Sequence, residues 1–417
     1  MTRRFDVELG NVRVGQLVEL QEGRTELRLA PGYLSMARRP VLGQYFEDRD
    51  ATTYSSRQSG SALPPFFAHY LPEGALREAL VKAHGLEPGD DLGLLAAVGS
   101  DLPGAVRVQP ASDEITSSDE TPTTADAVER SSIEPGGTTG LRFSLAGVQL
   151  KFSVVREGHK LTFPARGRTG EWIVKVPGPS YPGLCENEWS IMTWAREIGF
   201  DVPECHLHSA TDVTWLPELR VQADTSVFAI RRYDRGPADI RIHQEDFAQV
   251  VNQPAGAGLK YEHVTYEELG RLVLNIVDEA AFDEFLRRLV FVIASGNADA
   301  HLKNWSLVYP DGVNARLSPM YDQVATIAWP QIDARLGLKL ASLRDFGRVD
   351  LAALTRLADR AGATPYPVEQ QVEGVLSTMR STWAKQARTW PLLPEHADRI
   401  REHWRRVPLM RDFGSLE

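Results

Sequence analysis

The chain alternates apolar and polar positions before it shows any helical period. Phe5, Val7 and Leu9, then Val12 with Val14, then Val18 with Leu20, predict short strands with one buried face. A helix is expected after Pro72, in PEGALREALVKAHG, because the fixed φ of proline suits a first helical turn. A second helix is expected near Asp91–Val98, after which Pro103-Gly104 turns the chain into a short strand, AVRV. The segments 152–155, 171–176 and Ser226–Arg231 are rich in β-branched and aromatic residues and predict further strands. Beyond about residue 245 the pattern turns mostly helical. There Phe282, Leu286, Leu289, Val290 and Ile293 recur at helical spacing and mark a stripe that faces a core. Strands followed by helices predict an α+β fold of two lobes with a cleft between them.

One segment breaks this pattern. Residues 111–139 carry no aromatic side chain and are rich in Ser, Thr, Asp and Glu. Such a stretch buries too little apolar surface to offset the entropy of ordering, so it reads as a flexible linker. It separates a small N-terminal α+β module, 1–110, from a larger C-terminal one. A net charge of −10 argues against direct electrostatic binding of DNA or of a membrane surface. No run approaches the roughly 20 apolar residues that span a bilayer, and no apolar run follows the N-terminal arginines, so a cytoplasmic protein is expected. Two cysteines, Cys185 and Cys205, are too few for a disulfide framework.

Candidate chemistry is concentrated in three places. In SGNADAHLKNWSLVY, Asp299 and Asn304 enclose four residues, the spacing of a protein-kinase catalytic loop. One carboxylate can take or orient the proton of a substrate hydroxyl while the amide oxygen holds magnesium on the phosphates. The turn at Pro310-Asp311-Gly312 predicts a return strand that delivers Asp322 as a second metal ligand. The plainer reading is a polar turn in which Asp299 caps the next element. In EWIVKVPGP, Lys175 either points outward from a half-buried strand or grips nucleotide phosphates. Glu188 shares the inward face of the following helix with Ile191, Ala195 and Ile198, where a carboxylate needs a partner; Lys175 would serve, with Glu186 the more exposed alternative. In FSLAGVQLKFSV, small Ala146 and Gly147 would let backbone N–H groups approach a phosphate, with Lys151 adding charge. By itself that segment is a strand–turn–strand. His301 beside Asp299 lacks a third metal ligand at sensible spacing. The tryptophans, Trp305 and Trp329 among them, read as core or interface residues.

Taken in order, LPEGALREAL, GSDLPGAVRV, FSLAGVQLKFSV, EWIVKVP, NEWSIMTWAREIGFDVP, FAIRRYDR, HQEDFAQ, KYE, SGNADAHLKNWSLVY and PMYDQVAT resemble the HipA family, the kinase toxins of bacterial HipBA toxin–antitoxin modules. These pieces run from about residue 71 to 326, more than half of the chain. The resemblance implies a two-lobed protein-kinase-like fold, with an N-lobe over 140–235 and a helical C-lobe over 236–417. It also implies ATP, Mg2+ and transfer to Ser or Thr. It makes Asp299 the catalytic residue and Asn304 and Asp322 the magnesium ligands. Lys175 and the loop Ala146, Gly147, Val148, Gln149, Leu150 and Lys151 become the phosphate contacts. Arg231, Arg232 and Tyr233 fall where a hinge backbone meets adenine, and Asp234 and His301 fall near the nucleotide. Ser144 matches a loop serine that relatives autophosphorylate. The implied partners are a HipB-type DNA-binding antitoxin, with DNA reached only through it, and a protein of translation, on the pattern of relatives an aminoacyl-tRNA synthetase.

Two departures stand out. Leu150 replaces a carboxylate usual in the family's loop, and Arg231 replaces a glutamate at the start of the hinge. Two rival classes accompany the kinase reading. A binding module that serves mainly as an antitoxin-bound corepressor has no need of Lys175, Asp299, Asn304 and Asp322 together. A small-molecule phosphotransferase has no need of the N-terminal module or the Ser144 loop.

Overall fold

The structure is a computed structural model. It describes residues 2–56, 61–111, 151–158, 160–164, 169–178, 180–214, 221–256, 259–261, 264–332, 334–411 and 413–416. Ser144, residues 146–150 and the expected linker from 112 onward lie outside the described residues. The chain packs as two compact units. One comprises Met1–Ile173, Arg232–Ala257 and Val308–Asn314; the other comprises Val174–Arg231, Gly258–Leu307 and Ala315–Glu417.

The first unit is built on an antiparallel five-stranded sheet, in the order Thr53–Ser55, Thr25–Leu29, Val12–Glu19, Arg4–Leu9, Val106–Pro110. Phe5 pairs with Leu17 and Val7 with Val108, which aligns the alternating apolar residues on one face. Burial alternates along Thr25–Leu29, as the pattern predicts. The central strand departs from it, being buried without interruption from Val14 to Val18. The short helix Pro31–Leu34 packs against that strand. The helices Gly74–Ala83 and Asp91–Val98 stand where the periodicity expects them, and Asp90 caps the second by accepting from the Gly93 N–H at 2.9 Å.

Two buried polar clusters hold this unit together. In one, Arg232 and Arg235 share two carboxylates: Asp101 accepts from them at 2.8 and 2.9 Å, and Asp234 at 2.9 and 2.8 Å. The Gly104 N–H adds a 2.7 Å bond to Asp234, and Leu102 O accepts from both guanidiniums. Burial alone would raise the Asp234 carboxyl, but the two arginines outweigh it and hold the group well below its usual range. In the other, Glu245 is fully buried and accepts from the Tyr309 hydroxyl and, at 2.9 Å, from the Gln44 N–H. The His243 ring stacks on Tyr309 at 5.5 Å. Burial dominates here and pushes Glu245 up to about 8.

In the second unit, Cys205–Ser209 and Ser226–Arg231 pair antiparallel, with Ile230 opposite Cys205. The helix Leu184–Glu197 packs on both strands. The helices Tyr266–Ile276, Glu279–Ser295, Leu351–Ala361, Val368–Gln386 and Pro394–Arg406 follow. The core centres on Trp194, whose ring lies 4.9 Å from Trp383, 5.7 Å from Phe291 and 6.4 Å from Trp404. Its indole N–H donates to Met379 O at 3.2 Å, so its polar edge is satisfied. Trp305 and Trp329 are also buried.

Two sequence expectations are corrected. The return strand after Pro310-Asp311-Gly312 is only Arg316–Leu317, so Tyr321 and Asp322 lie beyond it in irregular backbone. Pro319 has no N–H to continue a ladder, and the Met320 N–H bonds to Asp201 O at 2.8 Å instead. The helix-rich region also contains a hairpin, Arg335–Leu340 with Leu343–Asp345. Its two turn residues, Ala341 and Ser342, have φ of 47° and 70°, a geometry that usually calls for Gly or Asn. Without those residues the turn carried no sequence signal.

Trp194→Ala is expected to cost about 3–5 kcal/mol by opening a cavity in the second unit, measured as a lower urea midpoint. Glu245 gives the first unit a pH dependence. Its folded pKa of about 8 lies above the ordinary 4.5, so the penalty of ionising it in the core grows as pH rises between those values. Glu245→Gln should flatten the alkaline decline in melting temperature over that window, read by calorimetry from pH 5 to 9.

Candidate active site

The site is built from side chains of the second unit. Lys175 ends the strand Trp172–Lys175 and is only 4 % exposed, which settles its direction as inward. Its Nζ donates to Glu188 Oε1 and to Asp322 Oδ1, and it lies 5.6 Å from the centre of the Phe228 ring. Burial works against the ammonium, yet Asp322 and then Glu188 outweigh it, so its pKa is raised and it stays charged. Glu188 reaches the lysine from the helix Leu184–Glu197, where it is 1 % exposed. Asp322 has a φ of 54°, an uncommon left-handed conformation for a non-glycine residue.

The loop that carries Asp299 and Asn304 starts where the helix Glu279–Ser295 stops. Gly296 caps that helix at φ 74°, and any Cβ there would meet Ile327 at 2.4 Å, so both the space and the conformation demand glycine. The Asn297 side chain then accepts from the Asp299 N–H at 3.0 Å and donates to Gln323 at 3.2 Å. Asp299 O accepts from the His301 N–H at 2.7 Å, and His301 O from the Asn304 N–H at 2.9 Å. This tight winding brings Asn304 round in the short 3-10 turn Leu302–Asn304. The Asp299 carboxylate is half exposed and accepts from the Tyr261 hydroxyl. His301 is buried, its Nε2 3.9 Å from Asp299 Oδ1.

Three further bonds tie this loop to the Asp322 segment and to the Glu188 helix. Thr326 Oγ1 accepts from the Ala298 N–H at 2.7 Å, Asn187 Oδ1 from the Ala325 N–H at 2.9 Å, and Lys303 O from the Tyr321 hydroxyl at 2.9 Å. Asn187, Asn297, Gln323 and Thr326 were given no role by the sequence, since single polar residues have no period to betray them. Tyr261 stood in the KYE piece without an assignment.

The donors suit a hard divalent cation. Asn304 Oδ1 is buried and has no hydrogen-bond partner among the described residues, a state that normally costs about 1–3 kcal/mol. An amide oxygen left open near a carboxylate-bearing segment fits magnesium, which takes few protein oxygens and completes its shell with water and phosphate. Among the described residues no group of three His, Cys, Asp or Glu side chains could hold a metal alone. Both cysteines are buried, their thiols pushed up by desolvation, Cys185 to about 12 and Cys205 to about 11.

Of the remaining candidates, Arg231 belongs to the second unit and Lys151, Arg232, Tyr233 and Asp234 to the first. Arg231 is exposed, its guanidinium 3.9 Å from Glu204. The side chains of Arg232 and Asp234 are committed to the buried ion cluster of the first unit, and the Tyr233 hydroxyl donates to Gln244. Lys151 opens the strand Lys151–Glu157 in that unit and is half-buried.

Removing the lysine charge leaves two carboxylates facing each other with one fully buried. Lys175→Met is therefore expected to cost about 3 kcal/mol. Adding Glu188→Leu should restore part of that loss, so the double variant unfolds at higher urea than the sum of the single effects predicts.

Comparison with known proteins identifies the family. The HipA N-terminal domain model matches residues 5–109 and the HipA-like C-terminal domain model residues 143–383. A Sinorhizobium fredii protein named "Putative kinase Y4dM" is 36% identical over 99% of this chain and 98% of its own length. The "Serine/threonine-protein kinase toxin HipA" of Shewanella oneidensis is 25% identical, over 72% of this chain and 76% of that protein. A solved complex of Shewanella oneidensis HipA, HipB and operator DNA contains a chain of similar fold, with a TM-score of 0.68 and 20% identity, covering 96% of this chain and 94% of that one. With both domain models matched in order and a relative aligned along almost its full length, the chain belongs to the HipA family and has its kinase-like α+β fold.

Proposed function

We propose that the protein is an ATP- and magnesium-dependent serine/threonine protein kinase, the toxin of a toxin–antitoxin pair. The observation that carries this reading is the buried ammonium of Lys175 held between Glu188 and Asp322, with the Asn304 amide oxygen left open. A structural core gains nothing from a buried lysine with two carboxylates, because apolar replacements of similar volume are usually at least as stable. A phosphoryl-transfer site needs such groups, since its catalysis is positioning and charge stabilisation.

In this mechanism Lys175 grips the nucleotide phosphates and Glu188 keeps its ammonium aimed. Asn304 Oδ1 and the Asp322 carboxylate would hold magnesium, and Asn297 and Gln323 fix the loop between them. Magnesium, when bound, offsets the negative charge on the phosphate oxygens. Asp299 orients the acceptor hydroxyl and takes its proton as the hydroxyl oxygen bonds to the γ-phosphorus and the bond to the β-phosphate oxygen breaks. The loop at 146–150 with Lys151 would cover the phosphates. The backbone of 231–233 would meet adenine, which is compatible with the Arg232 and Asp234 side chains being engaged elsewhere. His301 would lie close to the nucleotide. Ser144 would be the autophosphorylation site, where a dianionic phosphoserine could not share a pocket with ATP phosphates. The domain plan is an N-terminal subdomain (1–110), a linker (111–139), an N-lobe (140–235) and a C-lobe (236–417). The target class is a protein of translation, an aminoacyl-tRNA synthetase by analogy with relatives, and the protein works in the cytoplasm. No helix among the described residues is long and apolar enough to cross a membrane.

A second reading, an antitoxin-bound corepressor of little activity, draws support from the HipA–HipB–operator complex of the Shewanella relative. The two readings part in one experiment. The purified chain is incubated with magnesium-ATP and its phosphosites are mapped by peptide mass spectrometry, with Asp299→Asn alongside. Phosphate on Ser144 in the wild type, reduced at least about 100-fold in the variant, is the expected result. Equal labelling of both proteins would remove Asp299 from its role. ATP binding without labelling of self or of a HipB-type partner would favour the corepressor.

A further inference from the structure

Tyr261 stands outside the assigned set, yet its polar atom bonds directly to the Asp299 carboxylate. Its hydroxyl donates to Asp299 Oδ1, and its ring meets the His301 ring edge-on at 5.2 Å. The tyrosine is itself anchored. Arg344 Nη2 donates to Tyr261 O at 2.6 Å, and Arg344 Nη1 to Gly337 O at 3.3 Å. Gly337 in turn lies so close to Ala300 that a Cβ there would come within 2.8 Å of the Ala300 backbone. Ala300 follows Asp299 in the chain, and its carbonyl accepts from the Tyr266 hydroxyl at 2.9 Å. A closed circuit thus runs from Asp299 through Tyr261, Arg344 and Gly337 back to Ala300.

We infer that Tyr261 is a positioning residue for the Asp299 carboxylate. This rests on the reading of Asp299 as the group that takes the acceptor proton. A half-exposed aspartate samples several rotamers, whereas a base must present one oxygen to one hydroxyl. The tyrosine holds Oδ1 and so fixes the plane in which the carboxylate is presented. The bond also gives the arrangement a readout that needs no turnover, because removing a donor to the carboxylate is expected to change its titration. Tyr261 contributes through orientation and not through contact with the nucleotide, so its loss should spare ATP affinity. The ionisable groups near this carboxylate include the Tyr261 phenol, the His301 imidazole and the Tyr266 phenol; Arg344 donates to two carbonyls.

Tyr261→Phe removes the hydroxyl and keeps the ring against His301. In the full chain, initial self-phosphorylation from magnesium-ATP should fall about 5- to 50-fold with an unchanged KM for ATP. The aspartate carboxyl carbons, labelled with 13C and read by NMR, give a test that needs no turnover. Asp299→Asn identifies the Asp299 signal, and its titration midpoint should lie higher in Tyr261→Phe than in the wild type. Coincident midpoints would overturn the inference, and so would a faster rate in the variant, which would make Tyr261 a plug. If Asp299→Asn labels as well as the wild type, or the wild type never labels, the kinase reading fails. The midpoints still decide whether Tyr261 acts on the carboxylate.

Discussion

A buried positive charge organises the second unit. Lys175 is almost wholly withdrawn from water, and an ammonium so placed is tolerated only with opposite charge in contact. Two carboxylates supply it, and they come from distant parts of the chain: Glu188 from the helix Leu184–Glu197, Asp322 from irregular backbone after Pro319. The requirement fixes a strand, a helix and a loop at one point. Asp322 takes a left-handed backbone to reach it, a local cost that the ion cluster offsets.

Neutral hydrogen bonds extend this fixation to the Asp299 loop. Asn297 and Thr326 join the loop to the Asp322 segment, Asn187 joins that segment to the Glu188 helix, and Tyr321 reaches back to Lys303. Each bond is worth about 1 kcal/mol, yet together they leave few ways to move Asp299, Asn304 or Asp322 separately. Behind them, the Trp194 cluster and the helix Glu279–Ser295 give the loop a rigid base, with the Trp404 indole donating to Ala294 O at 2.7 Å just before the loop begins. An open amide oxygen on Asn304 is consistent with a framework kept rigid for a ligand.

The first unit uses the same chemistry for a different end. Its Arg232, Arg235, Asp101 and Asp234 satisfy one another completely enough that both aspartates are held below the usual range. Those side chains brace backbone, accepting from the Gly104 N–H and donating to Leu102 O. The family resemblance implies that Asp234 and Arg232 lie near a nucleotide, whereas their side chains are engaged in this cluster. Their burial and mutual pairing are visible only once Asp101, more than a hundred residues earlier, is known to lie beside them.

Short-range features were legible in the sequence by itself: the alternating strands of the first unit, the helices Gly74–Ala83 and Asp91–Val98, and the apolar stripe around Leu289. So were the Asp299–Asn304 spacing and the placing of Lys175 in a strand and Glu188 on an apolar helix face. All depend on neighbours within one or two turns, where period and turn chemistry act directly. Tertiary structure alone decided that Lys175 points inward and shares its charge with Asp322, that a hairpin turns at Ala341-Ser342, and that Tyr261 reaches Asp299. Each of these is set by partners far apart in the chain or by backbone forced into left-handed geometry by its surroundings. A sequence records which residues can pair, whereas only the folded chain brings them within hydrogen-bonding distance.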